Sequence, residues 1–140
     1  MKNWKPIFIE NSKIPFWLSK VSPIEIGAIT LGFLVISRGE MDDRLRNHET
    51  IHYQQYLDLL FFGFVFLYLW DWLVGLFWHR HGKIAYYSIR AEQEAYLNDN
   101  DYNYLANRKR WAWIWNHKVK LPPYIEKLLE LKANEEKSDV

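Results

Sequence analysis

The residues best suited to chemistry sit together in Arg46-Asn47-His48-Glu49-Thr50-Ile51-His52, a His-Glu-x-x-His arrangement. On a helix of 3.6 residues per turn His48 and His52 stand one above the other, so both imidazoles can reach one metal ion. Glu49 lies beside them. Zinc held by two imidazoles and a carboxylate keeps a fourth position for water, and a neighbouring carboxylate can take the proton of that water as it attacks a carbonyl. The spacing points to metal-assisted hydrolysis, and to peptide bonds as its first candidate substrate.

Such a site needs a third ligand. Residues 84–106 begin as a helix in which Ala85, Ile89, Glu92 and Tyr96 recur at i, i+4, i+7 and i+11 and share one face. Glu92 is then a carboxylate in the middle of an apolar stripe. An ionised group buried alone is very costly, and a metal would satisfy it. Glu94 shares its face with Tyr87, Arg90 and Ala91, where Arg90 four residues earlier is expected to pair with it. His79 and His81 also have chelating spacing, but between them and beyond stand Arg80 and Lys83, which suits a solvated flank.

The elements that must position these residues follow from patterning. Asp42 or Asp43 can cap a helix beginning near Arg44, because an aspartate accepts from free backbone N–H groups at the positive end of a helix. No proline occurs between Pro23 and Pro122, so that helix meets no obligatory break. Just upstream, residues 24–37 are rich in β-branched and aromatic types and read as one or two strands, a hairpin ending at Arg38-Gly39. A strand edge beside the motif could hold an extended substrate by main-chain hydrogen bonds. Residues 1–23 hold Pro6, Pro15 and Pro23, and their short runs Ile7-Phe8-Ile9 and Phe16-Trp17-Leu18 suit extended segments or single helical turns. The expected fold is mainly α with a small N-terminal β hairpin or sheet, in a single domain over residues 1–133. A short amphipathic helix from Tyr124 to Ala133 closes it, and 134–140 form a frayed tail.

Between the two candidate site helices the run from Leu59 to Trp78 is 20 residues long with one charge, Asp71. As a helix it measures about 30 Å, enough to cross a hydrocarbon core. Three arrangements compete: a transmembrane helix, two shorter interfacial helices hinged near Asp71, and a buried hairpin. Membrane association is favoured, since a 140-residue chain has little protein with which to surround so apolar a helix. The basic flank His79-Arg80-His81-Gly82-Lys83 would sit among headgroups and lean cytoplasmic. An unpaired Asp71 would weigh against a full span.

Composition sets the outer bounds. There is no cysteine, which removes thiolate nucleophiles, disulfides and Cys-type zinc sites, so any zinc must be held by His, Asp or Glu. With 18 Lys+Arg against 17 Asp+Glu the net charge is +1, which gives no electrostatic footprint for nucleic acid. The one local exception is residues 107–120, which mix six basic residues with Trp111, Trp113 and Trp115. Such a segment can stack bases or anchor at a lipid headgroup layer, and beside the apolar run the second is preferred. No apolar signal-peptide core follows Met1, and no internal repeat is visible.

Taken together these features resemble the gluzincin-type zinc metallopeptidases, in which His-Glu-x-x-His is completed by a glutamate on a downstream helix. More narrowly, Glu92-Gln93-Glu94-Ala95-Tyr96 is similar to the Glu-x-Glu-Ala-Asp pattern of integral-membrane metallopeptidases that carry apolar helices between the His and Glu helices. The resemblance implies that His48, His52 and Glu92 bind Zn2+, that Glu49 is general base and proton shuttle, and that a small residue at Ala95 lets two helices cross. It implies a polypeptide substrate and a lipid surface as partners. The chain departs from the pattern at Tyr96, where the family has an Asp that orients a zinc-binding histidine. Glu94 has Asn98 at the same offset, so Glu94 stays open as the ligand. The alternative from another class is a non-catalytic, membrane-associated scaffold or phage accessory protein with a structural metal or none.

Overall fold

A computed structural model describes residues 4–22, 25–115, 121 and 123–138. The molecule is mainly helical with a small three-stranded sheet near the N-terminus, as expected from the sequence. Strand β1 (Ile7–Ile9) runs into helix α1 (Ile14–Ser19), and β2 (Ala28–Leu31) and β3 (Leu34–Ser37) form the hairpin read from residues 24–37. β1 pairs parallel with β3 and β2 antiparallel, giving the order β1-β3-β2. β2 is therefore a sheet edge. The hairpin turns at Gly32, whose φ of +61° is ordinary only for glycine and whose bare Cα faces the Phe61 ring.

Helix α2 (Asp43–Asp58) carries the His-Glu-x-x-His motif and packs against β2. Asp42 caps it, its side chain accepting from the Leu45 N–H at 2.8 Å. The helix stops at Asp58 although neither glycine nor proline is there to end it. Leu60 takes a left-handed φ of +50° and the Phe61 N–H reaches back to the Tyr56 carbonyl at 2.9 Å, a Schellman-type closure with leucine where glycine is usual. The last carbonyls are covered from outside: Leu57 accepts from Arg110 and Asp58 from the Trp111 indole. These contacts compensate the backbone strain.

Helix α3 (Phe62–His79) is one continuous rod, without a hinge at Asp71. It is long and apolar enough to cross a membrane by length and composition, and only 11% of it is buried. That excludes the buried-hairpin arrangement as well as the hinged one. Its inner face packs through Phe64, Tyr68, Trp72 and Gly75. Gly75 lies so close to Ala85 that a side chain there would stand 3.0 Å from the Ala85 Cα. Asp71 is not unpaired: Arg90 grips both its oxygens at 2.8 Å.

The segment 84–106, expected to begin as a helix, folds as α4 (Gly82–Tyr87), α5 (Arg90–Asn98) and α6 (Tyr104–Asn107), so the expected face through Ala85, Ile89, Glu92 and Tyr96 is broken between two helices. Asp71 explains one break, because its carboxylate also accepts the Arg90 N–H at 3.2 Å and so caps α5 from another helix. The buried core joins Tyr56, Phe64, Ile89, Ala91 and Trp113. Tyr56 and Phe64 rings lie 4.1 Å apart. A 3-10 turn, Ala112–Trp115, delivers Trp113 to this core, and α7 (Pro123–Ser138) runs past the end expected at Ala133. Residues 116–120 of the Trp-rich basic segment lie outside the described residues.

Candidate metal centre

Helices α2 and α5 cross in close contact, and Ala91 and Ala95 of α5 are both fully buried. The crossing brings His48, His52 and Glu92 together, all buried. The two Nε2 atoms are 3.2 Å apart, and Glu92 Oε2 lies 3.5 Å from the first and 3.3 Å from the second. Ligand atoms held 2.0–2.1 Å from a tetrahedral ion stand about 3.3–3.4 Å apart, so the three edges match one face of such a tetrahedron. Glu92 Oε2 is buried with no hydrogen-bond donor, whereas Oε1 accepts from the Tyr68 hydroxyl at 2.7 Å. An acceptor left bare among two imidazoles is the arrangement a cation would complete. This group can hold a metal ion.

The ring nitrogens away from this point are engaged. His48 Nδ1 is 3.2 Å from Asp99 Oδ2, and His52 Nδ1 is 2.8 Å from Gln55 Oε1. Metal-binding histidines characteristically give their second N–H to such acceptors, which aims the free nitrogen. Asp99 is itself clamped by Arg44 Nε at 3.0 Å on its other oxygen, and Asn47 holds the Asp99 backbone carbonyl at 2.9 Å. Asp99 thus stands where the resemblance called for an Asp at 96. Its signal in the sequence was periodicity: it lies seven residues after Glu92, two turns further on the same face. Tyr96 instead lays its ring against His48, centroids 4.4 Å apart.

Without a cation the cluster must borrow protons. Burial opposes a charged His48, but the hydrogen bond with Asp99 and the negative charge of Glu92 outweigh it and push its pKa up to about 10. The His52 pKa is raised too, against burial, by the Glu92 charge. Burial works against the Glu92 anion as well, yet the two imidazoles hold its carboxyl well below the usual carboxylate range.

Glu49 is buried on the same wall, and the Thr30 hydroxyl on β2 donates to its Oε2 at 2.6 Å. A cleft of about 1460 Å³ opens over the group, lined by Ala28, Ile29 and Thr30 of β2, by Glu49, and by Tyr86, Tyr87 and Tyr96. The edge strand read from the sequence as a substrate ledge lies along it.

Other expectations are corrected. Glu94 does not face the histidines, and it pairs with Arg108 rather than Arg90: its carboxylate accepts from Arg108 at 2.6 and 3.1 Å, from Tyr104 at 2.7 Å and from Gln55 at 2.7 Å. Arg90 is held by Asp71 and by the Ile114 carbonyl. Arg108 and Trp113 are buried in the interior, so these two members of the aromatic-basic segment proposed for bases or headgroups are spent on structure. His81 caps α4 and His79 bonds Ser88, and neither joins a metal-holding group among the described residues. In comparisons with protein-family models, with curated proteins and with solved structures, nothing matches this chain.

Proposed function

We propose that the protein is a zinc-dependent peptidase of the gluzincin type, working at a membrane surface. One observation carries the reading: three ligand atoms spaced 3.2, 3.3 and 3.5 Å apart, one of them a bare buried carboxylate oxygen, beside a separate carboxylate in one cleft. His48, His52 and Glu92 would hold the ion. Zinc there supplies a polarised carbonyl and a water acidic enough to attack it near neutral pH.

The chain's own groups do the rest. The free edge of β2 offers backbone N–H and C=O groups to an extended polypeptide, laying it across the cleft. Glu49, held in place by Thr30, takes the proton of the attacking water and passes it to the leaving amine. The hydroxyls of Tyr86 and Tyr96, 3.3 Å apart and paired with each other, line the cleft with Tyr87, so one of these tyrosines would donate to the developing oxyanion, while Arg90 is engaged elsewhere. Burial, and then the Glu92 charge, raise the pKa of both tyrosines, so both keep the proton they would donate.

Placement at a lipid surface rests on α3. Phe62, Val65, Phe66, Leu69, Trp70, Leu73 and Phe77 follow helical spacing and are all exposed, Phe62 at 87% and Phe77 at 75%. Lipid would cover that stripe, with Arg80 and Lys83 beyond its end among cytoplasmic headgroups.

The test is Glu49→Gln. It should keep zinc while hydrolysis of a quenched fluorescent peptide library falls by about 10²–10⁴. A Glu49→Gln protein that still cleaves sinks the catalytic assignment. Wild type that holds zinc but cleaves nothing supports the scaffold alternative.

A further inference from the structure

Resting on the zinc reading, we infer that Gln55 and Glu94 are positioning residues for His52, an amide relay that decides which ring nitrogen faces the metal. Gln55 is fully buried. Its Nε2 lies 3.0 Å from the Ala91 carbonyl and 2.7 Å from Glu94 Oε2, and its Oε1 lies 2.8 Å from His52 Nδ1. A carbonyl and an ionised carboxylate can only accept, so the amide must turn its N–H groups toward them. The amide oxygen must then face His52, and Nδ1 must carry the proton. Once a metal displaces any proton there, His52 Nε2 would be left with its lone pair at the point it shares with Glu92 Oε2 and His48 Nε2, the geometry a ligand requires. The opposite amide orientation would set an oxygen against two acceptors and point an N–H at the metal, which cannot ligate.

The relay is anchored from behind. Arg108 donates to both Glu94 oxygens and, at 2.6 Å, to Asp58 Oδ2, and Tyr104 donates to Glu94 Oε1. Arg108, Glu94 and Asp58 are all buried. Apolar packing commonly stabilises a core at least as well as a buried ionic cluster does. Here the cluster has a further use, since one of its carboxylates sets the polarity of the amide that holds a ligand. The second glutamate of Glu92-Gln93-Glu94 thus does for His52, through one intermediary, what Asp99 does directly for His48.

The experiment is zinc affinity by competition with a chromogenic chelator on the full chain, for wild type, Gln55→Met, Glu94→Gln and the double exchange Gln55→Glu with Glu94→Gln. Gln55→Met should weaken zinc by about ten- to a hundredfold, as losses of outer hydrogen bonds to metal ligands do. Glu94→Gln should weaken it similarly, because a second amide can present either end to Gln55. The double exchange restores a one-way relay, in which a carboxylate at position 55 accepts both from His52 and from an amide at position 94. It should recover affinity to within about fivefold of wild type, the Ala91 carbonyl having lost its donor. A Glu94 that served only to hold Arg108 would show no such rescue. In the zinc-loaded wild type, nitrogen-15 spectra should show His52 with its proton on Nδ1. Single variants Gln55→Met and Glu94→Gln that bind zinc within twofold of wild type, or a zinc-loaded His52 protonated on Nε2, overturn the relay alone. Wild type that binds no divalent metal overturns the zinc reading and the relay with it.

Discussion

At the scale of the residue, the site is a set of groups whose second contacts matter as much as their first. Thr30 illustrates this. Its hydroxyl holds Glu49 from a strand that does not otherwise share the motif, so Thr30→Val should leave zinc bound and lower peptide hydrolysis by about ten- to a hundredfold. Equal loss of zinc and activity in that variant would instead mark Thr30 as a packing residue. Proton competition gives a second expectation. In the metal-free protein the folded His48 pKa of about 10 lies above the ordinary 6.5, so this group's stabilisation is complete below 6.5 and is lost as pH rises through about 10. Thermal melts of the metal-free protein should fall across that window. Zinc affinity should rise across it, since each departing proton is one the ion no longer displaces. Metal-free melting temperatures that climb between pH 6.5 and 10 would contradict the cluster's electrostatics.

At the scale of the element, the fold depends on close approach and on capping supplied by neighbours. Gly75→Ala places a methyl 3.0 Å from the Ala85 backbone and should destabilise the protein by about 1–3 kcal/mol in denaturant titrations, with α3 pushed away from α4. A neutral result would mean that the two helices separate freely. Periodicity and capping made the elements around the site legible: Asp42 before α2, the hairpin at 28–37, and Glu92 on the apolar stripe of α5. The breaks were not legible. Leu60 in a left-handed conformation, and Asp71 capping α5 from another helix, are tertiary arrangements that no local pattern encodes. For the same reason helical spacing offers Glu94 to Arg90, while the folded chain gives Arg90 to Asp71, which the spacing rule does not reach. Asp99 shows the intermediate case. It stands on the Glu92 face at two turns, but seeing it as the partner of His48 required the crossing of α2 and α5.

At the scale of the molecule, one side of the protein holds the cleft and another presents the outer face of α3. Val65 and Leu69 belong to both, lining the cleft while forming part of the exposed stripe. Phe66→Glu combined with Leu73→Glu should strip the protein from phosphatidylcholine vesicles in flotation assays. Each change forfeits about 2 kcal/mol of apolar transfer, so partitioning should fall by roughly a hundredfold or more. Zinc content should not change, because both side chains point away from the site. Vesicle binding equal to wild type would show that α3 is covered by something other than lipid.

The central claim is that one ion is gripped between α2 and α5 by His48, His52 and Glu92, and emission spectroscopy on purified protein tests it most directly. Wild type exposed to zinc and dialysed should retain a single ion per chain, while His48→Ala and Glu92→Ala, each verified as folded by circular dichroism, should retain none. Wild type without metal, or variants that keep as much of it as wild type, would contradict the account.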